Sequence, residues 1–245
     1  MTSPMLAITA TEARLFLREP VTWLLAVLLP TVVLLVVGTL FGPPEPDPEL
    51  GGQRYIDLFV PSMVVLTLAV LGLNTLPARI GMYRERGVLR RLSTTPVGPS
   101  RLLVAQLAIN VAVVVVSLVL LLIVGKLAYD VPLPRDPLGF VLAFLAGMSA
   151  LFALGMVVAA VAPTSGTATA MVMPLFVAVM FLGGVYLPRW LLPDVLVDLG
   201  QFVPPGVQGI QDAWLGAPLQ LTPVAILLLI TVVAGATAAR LFRWE

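Results

Sequence analysis

The side chains most used for covalent and metal chemistry are missing from this chain, which has no cysteine and no histidine. That removes thiolate and imidazole metal sites, disulfides, thiol nucleophiles and the Ser-His pair. A hydrolase built here would need a serine or paired carboxylates, and no buried aspartate pair is visible. The Gly125-Lys126 pair has neither a glycine five residues before Gly125 nor a Ser or Thr after Lys126, so it is not a phosphate-binding loop. The sequence therefore offers contact surfaces, not reactive groups.

The densest charged cluster is a basic island from Arg79 to Val97, with five of the 14 cationic side chains. Read as a helix from Glu85, it sets Val88, Leu89 and Leu92 on one side and Arg86 and Arg90 on another. Pro96 ends it. Such a helix is too short to cross a bilayer and too apolar to stand free in water. It needs a surface to dock on.

The elements around the island are apolar. Hydrophobic residues make up 59% of the 245 and charged residues 11%, with a mean hydropathy of +1.04. An ordinary soluble domain carries about a quarter charged residues, so the composition predicts an all-α, polytopic membrane protein. Six segments have the roughly 20 residues a span needs: Val21–Phe41, Ile56–Leu76, Leu102–Val124, Leu138–Val161, Ser165–Leu187 and Leu219–Ala239. Residues 1–20 read as an interfacial helix, with Thr11, Arg14 and Arg18 on one side and Met5, Ile8 and Phe16 on another. Glu12 breaks its apolar side. The run that follows is too long for the core of a cleavable leader.

With both termini on one side, that side holds ten cations against four carboxylates, net +6; the other holds four against nine, net −5. The excess of Lys and Arg places the termini and residues 79–101 in the cytoplasm. The first two outer loops are short and proline-rich, as in Gly42 to Pro48, and leave no room for an external domain. Residues 188–216 alternate apolar pieces (Trp190-Leu191-Leu192, Val195-Leu196-Val197, Ala213-Trp214-Leu215) with prolines and glycines. They read as half-helices that re-enter the outer leaflet, which requires protein or a cavity over the broken backbone.

Two spans carry patterned faces. Phe59, Met63, Thr67, Val70 and Asn74 form a stripe along span 2, and span 5 offers Met173, Phe176 and Met180, with methionine able to adapt to varied ligands. Taken singly, each of these residues is expected to serve helix packing; taken together they are candidate pathway residues. The spans have no midplane Asp, Glu, Lys or Arg, which disfavours an ion-coupled carrier and suits an apolar or amphiphilic cargo. Nothing in the charge pattern points to nucleic acid.

The order of elements, with Glu-Arg-Gly-Val-Leu-Arg-Arg-Leu-Ser-Thr-Thr-Pro-Val after span 2, resembles the membrane subunit of type 2 ATP-binding-cassette exporters. It looks most like bacterial permeases of the daunorubicin-resistance kind. Glu85, Gly87, Leu89, Leu92, Thr95 and Pro96 carry the likeness, while Arg84 and Val88 stand where such permeases often have Lys and Thr. The resemblance implies that residues 85–96 are a coupling helix on a separate cytoplasmic ATPase, which would hold ATP and Mg. It also implies a second permease copy or a paralogue, a place in the bacterial cytoplasmic membrane, and no enzyme activity in this chain alone. In that setting Glu85 can pair across the subunit boundary, Val88, Leu89 and Leu92 can fill a groove, and Gly87 permits close approach. Arg86, Arg90 and Arg91 suit the partner or lipid phosphates equally. Export of lipophilic drugs is the expected activity, with a polysaccharide or lipid-linked glycan as the rival cargo and an assembly or sensor subunit as the rival class.

Overall fold

Several helices start where a proline or a capping side chain satisfies the first turn. The computed structural model describes residues 4–40, 45–46, 52–94, 98–187 and 191–242. In chain order these give α1 (Pro4–Leu17), α2 (Pro20–Leu40), α3 (Tyr55–Ala69), a π-helical turn (Val70–Thr75), α4 (Leu76–Glu85) and α5 (Val88–Ser93). There follow α6 (Pro99–Tyr129), α7 (Pro137–Val161), α8 (Ser165–Leu182), α9 (Asp194–Gly200), α10 (Val207–Leu215) and α11 (Leu221–Leu241). Helices α2, α6 and α7 begin at prolines, whose missing N–H has no helical partner to lose. Asp136 accepts from the Gly139 N–H at 3.0 Å and Thr164 from the Thr167 N–H at 3.1 Å, capping α7 and α8.

The architecture is all-α, and six helical segments among the described residues are long and apolar enough to cross a membrane. The second, Tyr55–Glu85, is the hub: 89% of its apolar window is buried, against 22% for α2, α8 and α11. Helix α7 crosses it with backbones in contact, since a Cβ on Gly155 would lie 2.0 Å from the Gly72 carbonyl oxygen. Small residues allow such crossings where no hydrophobic effect drives helices together. Elsewhere α7 packs along α11, α6 along α2, and α10 lies across α7 and α3.

Boundaries differ from the sequence reading in four places. Span 2 does not stop at Leu76 but runs to Glu85, because its charges find partners inside the bundle and no residue breaks the helix before Gly87. The island helix starts at Val88, not Glu85: Gly87 takes φ +68°, a left-handed conformation open to glycine, and turns the chain there. Span 3 is longer than Leu102–Val124 at both ends. Span 5 ends at Leu182, short of Leu187, where Gly183 and Gly184 turn the chain, the latter at φ +69°.

Glu12 also changes meaning. It does not spoil an interfacial helix; it lies on the inward side of α1 with Phe16, both buried, while Thr11, Arg14 and Arg18 are exposed. Within 188–216, residues 188–190 lie outside the described residues, and α10 packs against α7 and α3. The Arg135 and Asp136 N–H groups donate to the Trp214 and Ala213 carbonyls at 3.2 and 3.0 Å. Trp214 is buried, with its ring edge-on to Phe140 at 5.7 Å.

Candidate functional site

The long rod of span 2 is fastened at both ends by arginines that cap neighbouring helices. The last carbonyls of a helix have no internal partner, and a guanidinium with its several donors can satisfy them. At one end Arg54 donates to the Tyr129 and Asp130 carbonyls that close α6, at 2.9 and 3.1 Å. The same guanidinium makes a bidentate pair with Asp57, Nε to Oδ2 at 2.8 Å and Nη2 to Oδ1 at 2.6 Å. The Asp57 hydrogen bond raises the Arg54 pKa, outweighing the opposing effect of burial.

At the other end Arg84 donates to the Ala159 carbonyl at 2.8 Å, the Ala160 carbonyl at 3.3 Å and the Ala162 carbonyl, closing α7. Its guanidinium stacks over the Phe242 ring, 5.3 Å from the centroid. One turn earlier, Arg79 pairs with both carboxylate oxygens of Glu19, between α1 and α2, at 3.1 and 3.2 Å, and lies over Phe16 at 5.8 Å. The Tyr83 hydroxyl donates to Glu12, and Gln106 on α6 donates to the same carboxylate. So α1, α4, α6, α7 and the segment after α11 meet at one junction, held by buried and partly buried polar contacts. Sequence reasoning missed Glu12, Glu19, Arg79, Tyr83, Arg84 and Gln106. The available signal was Glu12 repeating at helical spacing with Ile8 and Phe16 on an otherwise apolar face.

Helix α5 hangs from this junction by Gly87. Leu89 is 1% exposed and belongs to the protein's own core, while Val88 and Leu92 are half-buried. The surface on which the apolar face docks is therefore the permease bundle itself. Glu85, Arg86, Arg90 and Arg91 point away from it and are exposed. Thr95 and Pro96 lie outside the described residues.

The span 2 stripe divides between two cavities. Phe59 lines a cavity of about 300 Å³ near the Tyr55 end of the rod, together with Ser62, Asp194 and Gln211. Val70 and Asn74 line another of about 380 Å³ toward the α4 end, whose wall includes Glu19, Thr22, Arg79 and Ser165. Met63 and Thr67 are buried between them at 0% and 1% exposure, with the Thr67 hydroxyl spent on the Met63 carbonyl at 2.9 Å. Asn74 sits in the π-helical turn, a wider coil that is common where helices serve function. The span 5 residues do not share one environment: Met180 is in the core, Phe176 is half-buried and Met173 is 49% exposed on the outside of α8.

A family model described as an ABC-2 type transporter matches residues 4–205, from α1 to the segment after α9. The chain belongs to that family. It is the permease of an ATP-binding-cassette transporter, a multi-pass membrane protein whose family implies an ATPase partner. No curated protein and no solved structure matches it. In this ABC-2 permease α5 follows directly on the junction around Arg79 and Arg84, where α1, α4, α6, α7 and the segment after α11 meet.

Proposed function

We propose that this ABC-2 permease exports lipophilic drugs, antibiotics or similar amphiphiles across the bacterial cytoplasmic membrane, as half of a permease dimer served by two ATPase subunits. Its termini and α5 face the cytoplasm, by the arginine excess on that side. Glu85, Arg86, Arg90 and Arg91, with the solvent-exposed parts of Val88 and Leu92, form the contact with the ATPase. ATP and Mg are held by that partner, and this chain supplies no hydrolytic group.

One observation supports the reading above others: two cavities lie along the same rod, near Phe59 and near Asn74, with Met63 and Thr67 packed between. A rod closed at its middle and hollow at both ends suits alternating access. ATP-driven movement of α5 would turn Tyr55–Glu85 through its Arg84 clamp and open one cavity as the other closes. The cavity near Asn74 is bounded by α2 and by Ser165 at the start of α8, and Leu25 on its wall is exposed. A second copy or a paralogue would complete it on that side. The mixed wall, with Leu25 and Val70 beside Asn74 and the Glu19–Arg79 pair, suits an amphiphile with an apolar body and a polar group. This favours the drug-like cargo of daunorubicin-type permeases over a glycan.

The test is reconstitution of the chain with the ATPase that co-purifies with it. Several chemically unrelated lipophilic compounds should stimulate ATP turnover, and Phe59→Ala or Asn74→Leu should change their relative potency more than basal turnover. Stimulation by a hydrophilic glycan alone would replace the cargo and leave the permease. An ATPase complex that no cargo stimulates would instead indicate an assembly or sensor subunit.

A further inference from the structure

We propose that the groove between α6, α7 and α11 is a binding site for a membrane phospholipid, which places one acyl chain against the bundle and an anionic headgroup at the end nearest α5. The site is separate from the two cavities along span 2 and does not depend on the cargo assigned above.

The groove arises from a gap in helix packing. Helix α6 packs on α1, α2 and α3, α7 packs on α11, and no comparable contact joins α6 to α7 or α11. The space left measures about 560 Å³ and is walled by Leu107 on α6, Met148, Phe152 and Met156 on α7, and Gly235 on α11. Its two hydroxyl groups, Ser149 and Thr231, lie 3.1 Å apart, and each has a carbonyl of its own helix within reach, Ala146 at 2.9 Å and Leu227 at 2.8 Å, so one hydroxyl can donate to its carbonyl while the other donates to it or to its own carbonyl. The walls therefore have no polar demand that water would meet. A dry gap that opens sideways between membrane spans forfeits dispersion contacts on every wall atom unless hydrocarbon fills it. An acyl chain is the hydrocarbon at hand, and the methionines can adjust to its shape.

Charge selects the headgroup. The groove ends at Phe242, on which the Arg84 guanidinium stacks. Arg101, in the first turn of α6, and Arg240, in the last turn of α11, stand at the same end and are exposed. Helices α6, α7 and α11 contain no Asp or Glu. Long arginine side chains at helix ends reach the headgroup layer, where anionic lipids attract them.

The experiment uses the full chain in phosphatidylcholine vesicles doped with either phosphatidylglycerol or phosphatidylcholine that carries a photoreactive group on an acyl chain. Label should concentrate on Leu107, Met148, Met156 and Gly235, and more with phosphatidylglycerol. A Cβ at Gly235 would meet nothing within 4 Å, so Gly235→Leu fills the groove without displacing protein. That variant, and independently Ala239→Leu, should lose the groove label, while Val232→Leu on the exposed side of α11 should keep it. The Arg101→Gln/Arg240→Gln double variant should keep the label and lose the headgroup preference. Label spread evenly over α2, α8 and α11, label that survives both groove-filling variants, or equal labelling by the two headgroups in the native chain would overturn the assignment. So would a headgroup preference that the double arginine variant leaves unaltered.

Discussion

The Arg84 guanidinium reaches from the last turn of α4 to the Ala159 carbonyl at 2.8 Å, and so joins the end of the central rod to the end of α7. Because α5 begins four residues later, this contact lies between the exposed island and the rest of the bundle. Arg84→Ala removes three charge-assisted hydrogen bonds from orphan carbonyls and should destabilise the protein by about 1–3 kcal/mol. Thermal unfolding in detergent measures it. Arg84→Lys should recover only part, because an ammonium lacks the planar fork that spans three carbonyls. Full recovery by lysine would mean that charge alone, without shape, closes α7.

The Glu12 carboxylate takes hydrogen bonds from Tyr83 and Gln106 in a buried setting. Glu12→Leu strands the Tyr83 hydroxyl proton and leaves the Gln106 amide only its 3.4 Å bond to that hydroxyl, and should cost about 1–3 kcal/mol. Glu12→Leu combined with Tyr83→Phe and Gln106→Leu removes the stranded groups and should be more stable than Glu12→Leu alone. A triple variant no more stable than the single one would contradict the network.

Sidedness is testable because the chain has no native cysteine. Ser93 and Asp198 are both exposed, on opposite ends of the bundle. An impermeant thiol reagent on intact cells should label Asp198→Cys and spare Ser93→Cys. The reverse pattern would invert the orientation.

The island's positions should separate into two classes. Glu85→Arg and Arg90→Glu change exposed charge and should leave the permease folded while weakening its co-purification with the ATPase. Leu89→Asp places an unpaired carboxylate in the core, at a cost of several kcal/mol, and should lower the amount of folded protein itself. Normal yield of Leu89→Asp would show that Leu89 can leave the core.

Composition and hydropathy alone determined that this is an all-helical, six-span protein, because each span must satisfy its backbone internally and so announces itself as a continuous apolar run. The island's division was also legible: spacing put Val88, Leu89 and Leu92 on one side and Arg86 and Arg90 on another, and the structure buries Leu89 and exposes both arginines, although its helix starts only at Val88. What spacing could not give was the identity of the surface beneath Leu89, which is α5's own bundle. Tertiary structure alone decided that Glu12, Arg79 and Arg84 are structural groups, since their partners lie about 60 to 94 residues away in sequence. It also carried span 2 past Leu76 to Glu85, where hydropathy stops at the first arginine because a charge counts as exposed until its partner is known. The division of the Phe59 to Asn74 stripe between two cavities has the same origin. A helical face is a local property, but what fills the space opposite it depends on every other helix in the bundle.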